Sequence, residues 1–194
     1  RAVDPDGRRS CALAGDVAEE DAVEAIIDGA ETALGLPDLL VTAHGIFPNQ
    51  PLVDMTQAEW DRVFAVNLRG PMFLARGLAR RWIATGTAGG IVNITSGAAR
   101  SARAGSSHYA SSKAALNMVT EVLAIELGPH GIRVNAVAPG LILDQVVRAT
   151  DPDLHPYVND MLRATPLRRT GAPQDIAEAV AFLASDRSPW TTGA

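Results

Sequence analysis

The residues best suited to chemistry stand in the run Ser107-His108-Tyr109-Ala110-Ser111-Ser112-Lys113. Lys113 is the single lysine of the chain, the other 16 of its 17 basic residues being arginine, and Tyr109 is one of two tyrosines. A lysine is a compact point charge on a flexible stem, able to reach a hydroxyl and bias a neighbour's ionisation as a planar guanidinium cannot. On a helix, positions i and i+4 share a face, so the phenol and the ammonium point into the same space. An unperturbed tyrosine loses its proton only near pH ~10, and a nearby cation favours the phenolate, about 1.4 kcal/mol of attraction raising its population tenfold. The pair reads as a tunable proton donor and acceptor.

Two further polar residues lie where they can join it. Ser96 follows the apolar run Ile91-Val92-Asn93-Ile94-Thr95, and in open parallel sheets ligands bind outside the carboxyl ends of strands. Its hydroxyl can hold a substrate oxygen while Tyr109 transfers the proton, although serine at a strand end also serves as a turn former. Asn67 falls inside the helical pattern Trp60 to Leu68. A buried amide there requires partners and can hold a water that relays protons from Lys113, or be merely structural.

The elements that must position these groups follow from periodicity. Short, nearly continuous apolar runs at Cys11 to Ala14, Leu39 to Ala43, Gly90 to Thr95 and Arg133 to Ala138 read as strands buried on both faces. Helical patterns alternate with them at Glu19 to Leu34, Gln57 to Thr85, Ser107 to Leu127 and Asp175 to Ala184. That alternation predicts a parallel sheet covered by helices. Thr56 followed by Glu59 reads as a capping box, and Gly70-Pro71 is expected to bend or interrupt its helix. The proline-containing segment from Leu141 to Arg169 reads as a lid or a surface excursion. Asn135-Ala136-Val137-Ala138-Pro139-Gly140 ends a strand in a turn that lets backbone approach a ligand. Asp16-Val17 follows the first strand, where Asp16 either accepts hydrogen bonds from a ring amine or caps the next helix.

Composition narrows the function classes. The chain has 194 residues, 47% of them hydrophobic, enough for one domain with a sizeable core. A net charge of −5 gives no support for binding nucleic acid or an anionic membrane. One cysteine, Cys11, excludes an intramolecular disulfide, fits a reducing compartment and reads as a buried, inert thiol. No run reaches the ~18 apolar residues of a membrane span, and the start at Arg1 reads as a loop, so a cytoplasmic protein is expected.

Taken in order, these residues resemble the short-chain dehydrogenase/reductase family over almost the whole chain. Tyr109 and Lys113 match its Tyr-x-x-x-Lys, Ser96 its upstream serine, Asn67 its helix asparagine, and Asn135 to Gly140 its Asn-x-x-x-Pro-Gly stretch. The resemblance implies a doubly wound α/β, Rossmann-like fold and hydride transfer between NAD or NADP and a carbonyl or secondary alcohol. It makes Tyr109 the acid in reduction and the base in oxidation, with Lys113 binding the nicotinamide ribose and lowering the tyrosine pKa. Ser96 positions the substrate oxygen, and Asn67 supports proton relay. Asp16 and Val17 would face the adenine, while Gly45, Pro139, Gly140 and Ile142 join Tyr109 and Lys113 in holding the cofactor. No metal is expected, and small carbonyl or alcohol substrates and a homodimer or homotetramer are.

Some features depart from the family pattern. No strand with a Gly-rich turn precedes Cys11, and the end at Thr191 to Ala194 falls where the family's last strand begins. The expectation is one NAD(P)-binding domain over residues 1–194, incomplete at both ends and lacking roughly 50 residues at the start by family analogy. Thr42-Ala43-His44-Gly45 stands where the family has Asn-Asn-Ala-Gly, and His44 reads as a satisfied structural histidine or a ligand contact. Asp144 stands where threonine is frequent and would repel a pyrophosphate unless turned outward. These departures leave a non-catalytic cofactor-binding protein as the alternative.

Overall fold

The computed structural model describes residues 10–143, 148 and 155–194. Three parallel strands, β1 (Leu39–Thr42), β2 (Gly89–Ile94) and β3 (Ile132–Val137), form a sheet in the order β1-β2-β3. Successive strand residues point to opposite faces, so the burial of Ile91, Val92 and Asn93 in sequence means that both faces of β2 are covered. The covering helices are α1 (Glu20–Leu34), α2 (Gln57–Phe64), α3 (Gly70–Thr85), α4 (Ser107–Leu127), α5 (Pro156–Ala164) and α6 (Pro173–Ala184). The alternation read from the sequence is the architecture observed, an α/β fold built on a parallel sheet.

The main core joins Val23 and Ile27 of α1, Leu78 and Trp82 of α3, and Ile91 and Val134 of the sheet. Trp82 is fully buried, and its Nε1 donates to the Pro37 carbonyl at 2.6 Å, which fixes the indole plane. Gly89 lies flat against that ring: a Cβ there would stand 2.6 Å from Trp82 Cδ2 and Cε3. Because the hydrogen bond leaves the indole little room to retreat, Gly89→Ala is expected to cost about 2–3 kcal/mol. Thermal denaturation followed by circular dichroism should show Tm falling by roughly 4–10 °C; an unchanged Tm would mean that the ring yields.

Polar groups hold α4 to the sheet. Thr42 Oγ1 donates to Asn93 Oδ1 at 2.8 Å, Asn93 Nδ2 donates to Thr120 Oγ1 at 2.9 Å, and Thr120 Oγ1 donates to the Leu116 carbonyl at 2.8 Å. Every member is buried and partnered, the condition under which such a network specifies position. At the other edge, Gly193 N donates to the Val134 carbonyl and Ala136 N to the Ala194 carbonyl, laying residues 193–194 along β3.

Three expectations are corrected. Cys11 to Ala14 is not a strand: these residues are exposed and pair with no described strand, and an extended segment without a ladder partner gains nothing from strand geometry. For the same reason Cys11 is exposed rather than a buried thiol. The break in the long helix also begins before Gly70-Pro71. Residues Ala65–Arg69 form a π-helical turn, with Gly70 N donating to the Ala65 carbonyl. Pro71 lacks an N–H and its ring crowds the carbonyl four residues back, that of Asn67; widening the preceding turn relieves the clash without ending the helix. Thr56 does cap α2, accepting from Glu59 N at 3.2 Å, while the Glu59 carboxylate turns to Arg62 instead of completing the box.

The stretch from Leu141 holds more structure than its composition suggested. Ile142 bridges Gly171, Arg148 bridges Arg169, and α5 opens at Pro156 with His155 Nδ1 accepting from Tyr157 N at 3.2 Å. Proline in the first turn of a helix is the sequence signal for α5. Asp144 and Pro152 lie outside the described residues.

Candidate active site

The carboxyl ends of all three strands open onto one edge of the sheet. From β1 the chain passes to His44 and Gly45, from β2 to Thr95 and Ser96, and from β3 to Pro139 and Gly140. Gly97 N donates to the Pro139 carbonyl at 2.8 Å, tying the turn after Ser96 to the turn after β3. Ser96 caps the Gly97–Ala99 turn by accepting from Ala98 N at 3.1 Å. It thus fills the turn-forming role and keeps its own hydroxyl proton for a ligand. That turn packs against α4, whose first turns carry Tyr109 and Lys113.

Lys113 is 4% exposed, and its Nζ reaches across to donate to the Ile94 carbonyl at 2.8 Å. Burial pulls its pKa down from 10.5 to about 8, because a desolvated ammonium loses hydration that one carbonyl only partly replaces. Gly45 sits beside it: a Cβ at Gly45 would lie 3.4 Å from Lys113 Nζ and 3.3 Å from Asn67 Oδ1. The glycine leaves the ammonium open on that side.

Asn67, at the centre of the π turn, is fully buried. Its Oδ1 accepts from Ile46 N at 2.8 Å, and its Nδ2 donates to the Ile46 carbonyl at 2.8 Å and to Ser112 Oγ at 3.2 Å. Both amide hydrogens are consumed, so they donate to no relay water. The side chain instead staples the loop after β1 to α4, placing Gly45 against Lys113. The widened turn that points Asn67 inward is not readable from periodicity.

Tyr109 is half-buried, and Phe47 stands edge-on to its ring, with centroids 6.3 Å apart and planes at 64°. Phe47 is itself 74% exposed, so the two rings form one wall of an open site. Gln50 N donates to the Gly105 carbonyl at 2.8 Å, joining the loop that bears Phe47 to the one leading into α4.

His44 departs from a satisfied structural role. Its Nε2 is buried without a hydrogen-bond partner among the described residues. Burial holds its pKa below the ordinary value, and the Lys113 charge adds to this while the Val66 carbonyl opposes it. A buried ring nitrogen without a partner beside an ammonium with one acceptor marks a place that a polar ligand or a water can complete.

The remaining expected positions are less closely tied to this centre. Asp16 Oδ1 accepts from Ala18 N at 2.9 Å, a local turn that leads into α1. Val17 packs against Gly70, where a Cβ would meet the Val17 carbonyl at 2.8 Å. Ile142 packs against Gly171, whereas Gly140 is exposed with open space where a side chain would stand.

Comparison with known proteins points one way. A family model described as enoyl-(acyl carrier protein) reductase matches residues 2–194. The (3R)-3-hydroxyacyl-CoA dehydrogenase of Rattus norvegicus is 35% identical over 98% of this chain and 73% of its own length. The L-xylulose reductase of Homo sapiens is 41% identical over 83% of this chain and 66% of its own. Among solved structures, a 4-hydroxyisoleucine dehydrogenase complexed with NADH superimposes with a TM-score of 0.80 at 30% identity, covering 92% of this chain and 74% of that one.

Proposed function

The chain belongs to the short-chain dehydrogenase/reductase family and is an NAD(P)-dependent oxidoreductase, and on that premise we propose that Asn67, Ser96, Tyr109 and Lys113 are its catalytic set. The observation that carries this reading is the buried Lys113. The only lysine is held with a lowered pKa between Ile94 and Gly45, one helical turn beyond Tyr109.

The residues present fit a nicotinamide cofactor. Gly45 leaves Lys113 Nζ accessible, with two of its three N–H donors free of any described partner for ribose hydroxyls. We assign Pro139, Gly140 and Ile142, which follow β3, to the nicotinamide end of the cofactor, and Asp16 and Val17 to its adenine end. When bound, the nicotinamide ring donates or accepts the hydride. Tyr109 gives its phenolic proton to the substrate oxygen in reduction and takes it back in oxidation, and Lys113 holds the cofactor ribose beside it. Ser96 donates its free hydroxyl to the same oxygen. Asn67 holds Gly45 and α4 in register, which makes it the positioning member of the set.

The substrate is a small carbonyl or secondary alcohol compound, with 3-oxoacyl thioesters and polyols as the two classes that the similar proteins suggest. We assign residues 1–194 to a single NAD(P)-binding domain. Exposed apolar side chains on α4, Met118, Val122 and Ile125, with Met72 and Ile83 on α3, support a homodimer or homotetramer. Among the described residues no helix is long and apolar enough to cross a membrane; the net negative charge gives no support for binding nucleic acid or an anionic membrane, and we infer a cytoplasmic protein.

The test is to mix the purified protein with NADH or NADPH and a panel of ketones and 3-oxo compounds, following loss of reduced-nicotinamide absorbance. Turnover with at least one pair is expected. Tight cofactor binding by calorimetry without turnover of any substrate would favour the non-catalytic alternative.

A further inference from the structure

The loop between Ser96 and Tyr109 carries Arg100 and Arg103 and no acidic residue, in a chain whose net charge is −5. The facing loop, from Ala43 to Val53, contains no Asp, Glu, Lys or Arg. With Lys113 inside, these two loops place positive charge and no acidic side chain beside the site. Such a distribution raises the local concentration of anions and steers them inward.

Arg62, Arg76, Arg81, Arg163 and Arg169 each pair with a carboxylate, and Arg69 and Arg133 donate to backbone carbonyls, whereas the guanidinium of Arg103 does neither among the described residues. Its NH1 donates instead to the phenolic oxygen of Tyr157 on α5, and its guanidinium lies 5.5 Å from the centre of that ring. The phenol is a neutral acceptor, so the guanidinium charge is oriented but not neutralised. Tyr157, with a lone pair occupied by Arg103, keeps its own O–H as a donor. Charged N–H groups and an O–H donor thus stand together in the geometry that suits an oxyanion.

The pair is mechanically joined to the catalytic turn. The Arg103 carbonyl accepts from Ser106 Oγ at 2.7 Å, and the Ser106 carbonyl accepts from Ala110 N at 2.7 Å, so Arg103 is fixed to the first turn of α4 on which Tyr109 sits. Its partner Tyr157 comes from α5, so substrate recognition and the placing of α5 share one contact.

We propose that Arg103 and Tyr157 bind an anionic group, a carboxylate or phosphate, on the carbonyl or alcohol substrate, an inference that rests on Tyr109 and Lys113 being the catalytic pair. The guanidinium supplies the charge and the fork, and Tyr157 aligns it and adds a hydrogen bond.

The experiment compares kcat/KM for matched substrates with the better nicotinamide cofactor. Acetoacetate against ethyl acetoacetate tests the carboxylate, and dihydroxyacetone phosphate against dihydroxyacetone tests the phosphate. Wild type is expected to prefer the anionic member of at least one pair. Arg103→Gln should reduce that preference by roughly 10- to 100-fold, the range for losing hydrogen bonds to a charged group, with the change in KM rather than kcat. Arg103→Lys should recover part of the preference and lose part of its geometry, while Tyr157→Phe should show a smaller loss confined to the anion. Preference should also decline with salt. Equal loss for both members of a pair in Arg103→Gln would assign the contact to holding α5 and overturn the proposal. So would a wild type that turns over the neutral members with no anion preference. Turnover of neither series would count against the oxidoreductase site itself and remove the premise.

Discussion

Replacing Tyr109 by phenylalanine is expected to lower kcat by about 10²- to 10⁴-fold, the range contributed by a positioned proton donor, while cofactor affinity and stability change little. The ring keeps its edge-on contact with Phe47, so the wall of the site survives the substitution. The phenol oxygen has no hydrogen-bond partner among the described residues, and the residue's other bond, from Ser112 Oγ at 2.7 Å, goes to its backbone carbonyl. Removing the hydroxyl therefore orphans no buried group, and the stability change should stay within roughly 0.5 kcal/mol. Steady-state kinetics together with calorimetric titration of the cofactor separate the two effects. A Tyr109→Phe enzyme with wild-type kcat would remove Tyr109 from the chemistry, whereas equal losses of kcat and cofactor affinity would make it a binding residue.

That Tyr109 and Lys113 stand one turn apart on one helix was legible because a helix converts sequence spacing into a shared face, and the residue types are rare enough in this chain to stand out. The strands were legible for a related reason: covering both faces of a sheet demands unbroken apolar runs. Asn67 was legible as a residue but not as a role, since its partners Ile46 and Ser112 are 21 and 45 positions away. The π turn that aims it inward is a response to Pro71, one turn further on. Arg103 and Tyr157 were missed for the same reason, being 54 positions apart on a loop and a helix of nine residues. Cys11 to Ala14 misled because an apolar run indicates capacity for strand formation, whereas a strand also needs a neighbour to pair with.

Lys113 gives the second large effect, and it has opposite signs on stability and activity. A folded pKa of about 8 against an ordinary 10.5 means that the native state resists protonating this amine. Below about pH 8 the group is charged in both states, and the folded protein bears the full cost of burying it, on the order of 3 kcal/mol. Between about 8 and 10.5 the unfolded chain binds more protons than the folded one, so stability contributed by this group rises with pH across that window. Lys113→Met keeps most of the side-chain volume and removes the charge, but it leaves the Ile94 carbonyl without its 2.8 Å donor, which costs about 1–2 kcal/mol. The cofactor-free variant should therefore be more stable than wild type at pH 7 by roughly 1–2 kcal/mol, a Tm gain of about 2–8 °C, with the advantage shrinking as pH approaches 10. Its turnover should fall by at least about 10²-fold, since the site loses the cation placed to hold the nicotinamide ribose one helical turn beyond Tyr109. In wild type, ionisation of the same group should make activity decline above about pH 8 in the cofactor-free enzyme's kcat/KM profile. Denaturation scans across pH 7 to ~10 check the stability arm; a variant less stable than wild type at pH 7, with no pH trend, would show that Lys113 is held by compensating contacts rather than against its own solvation. A buried cation that destabilises the resting fold yet sits one turn from the proton donor is explained by what it does in the reaction.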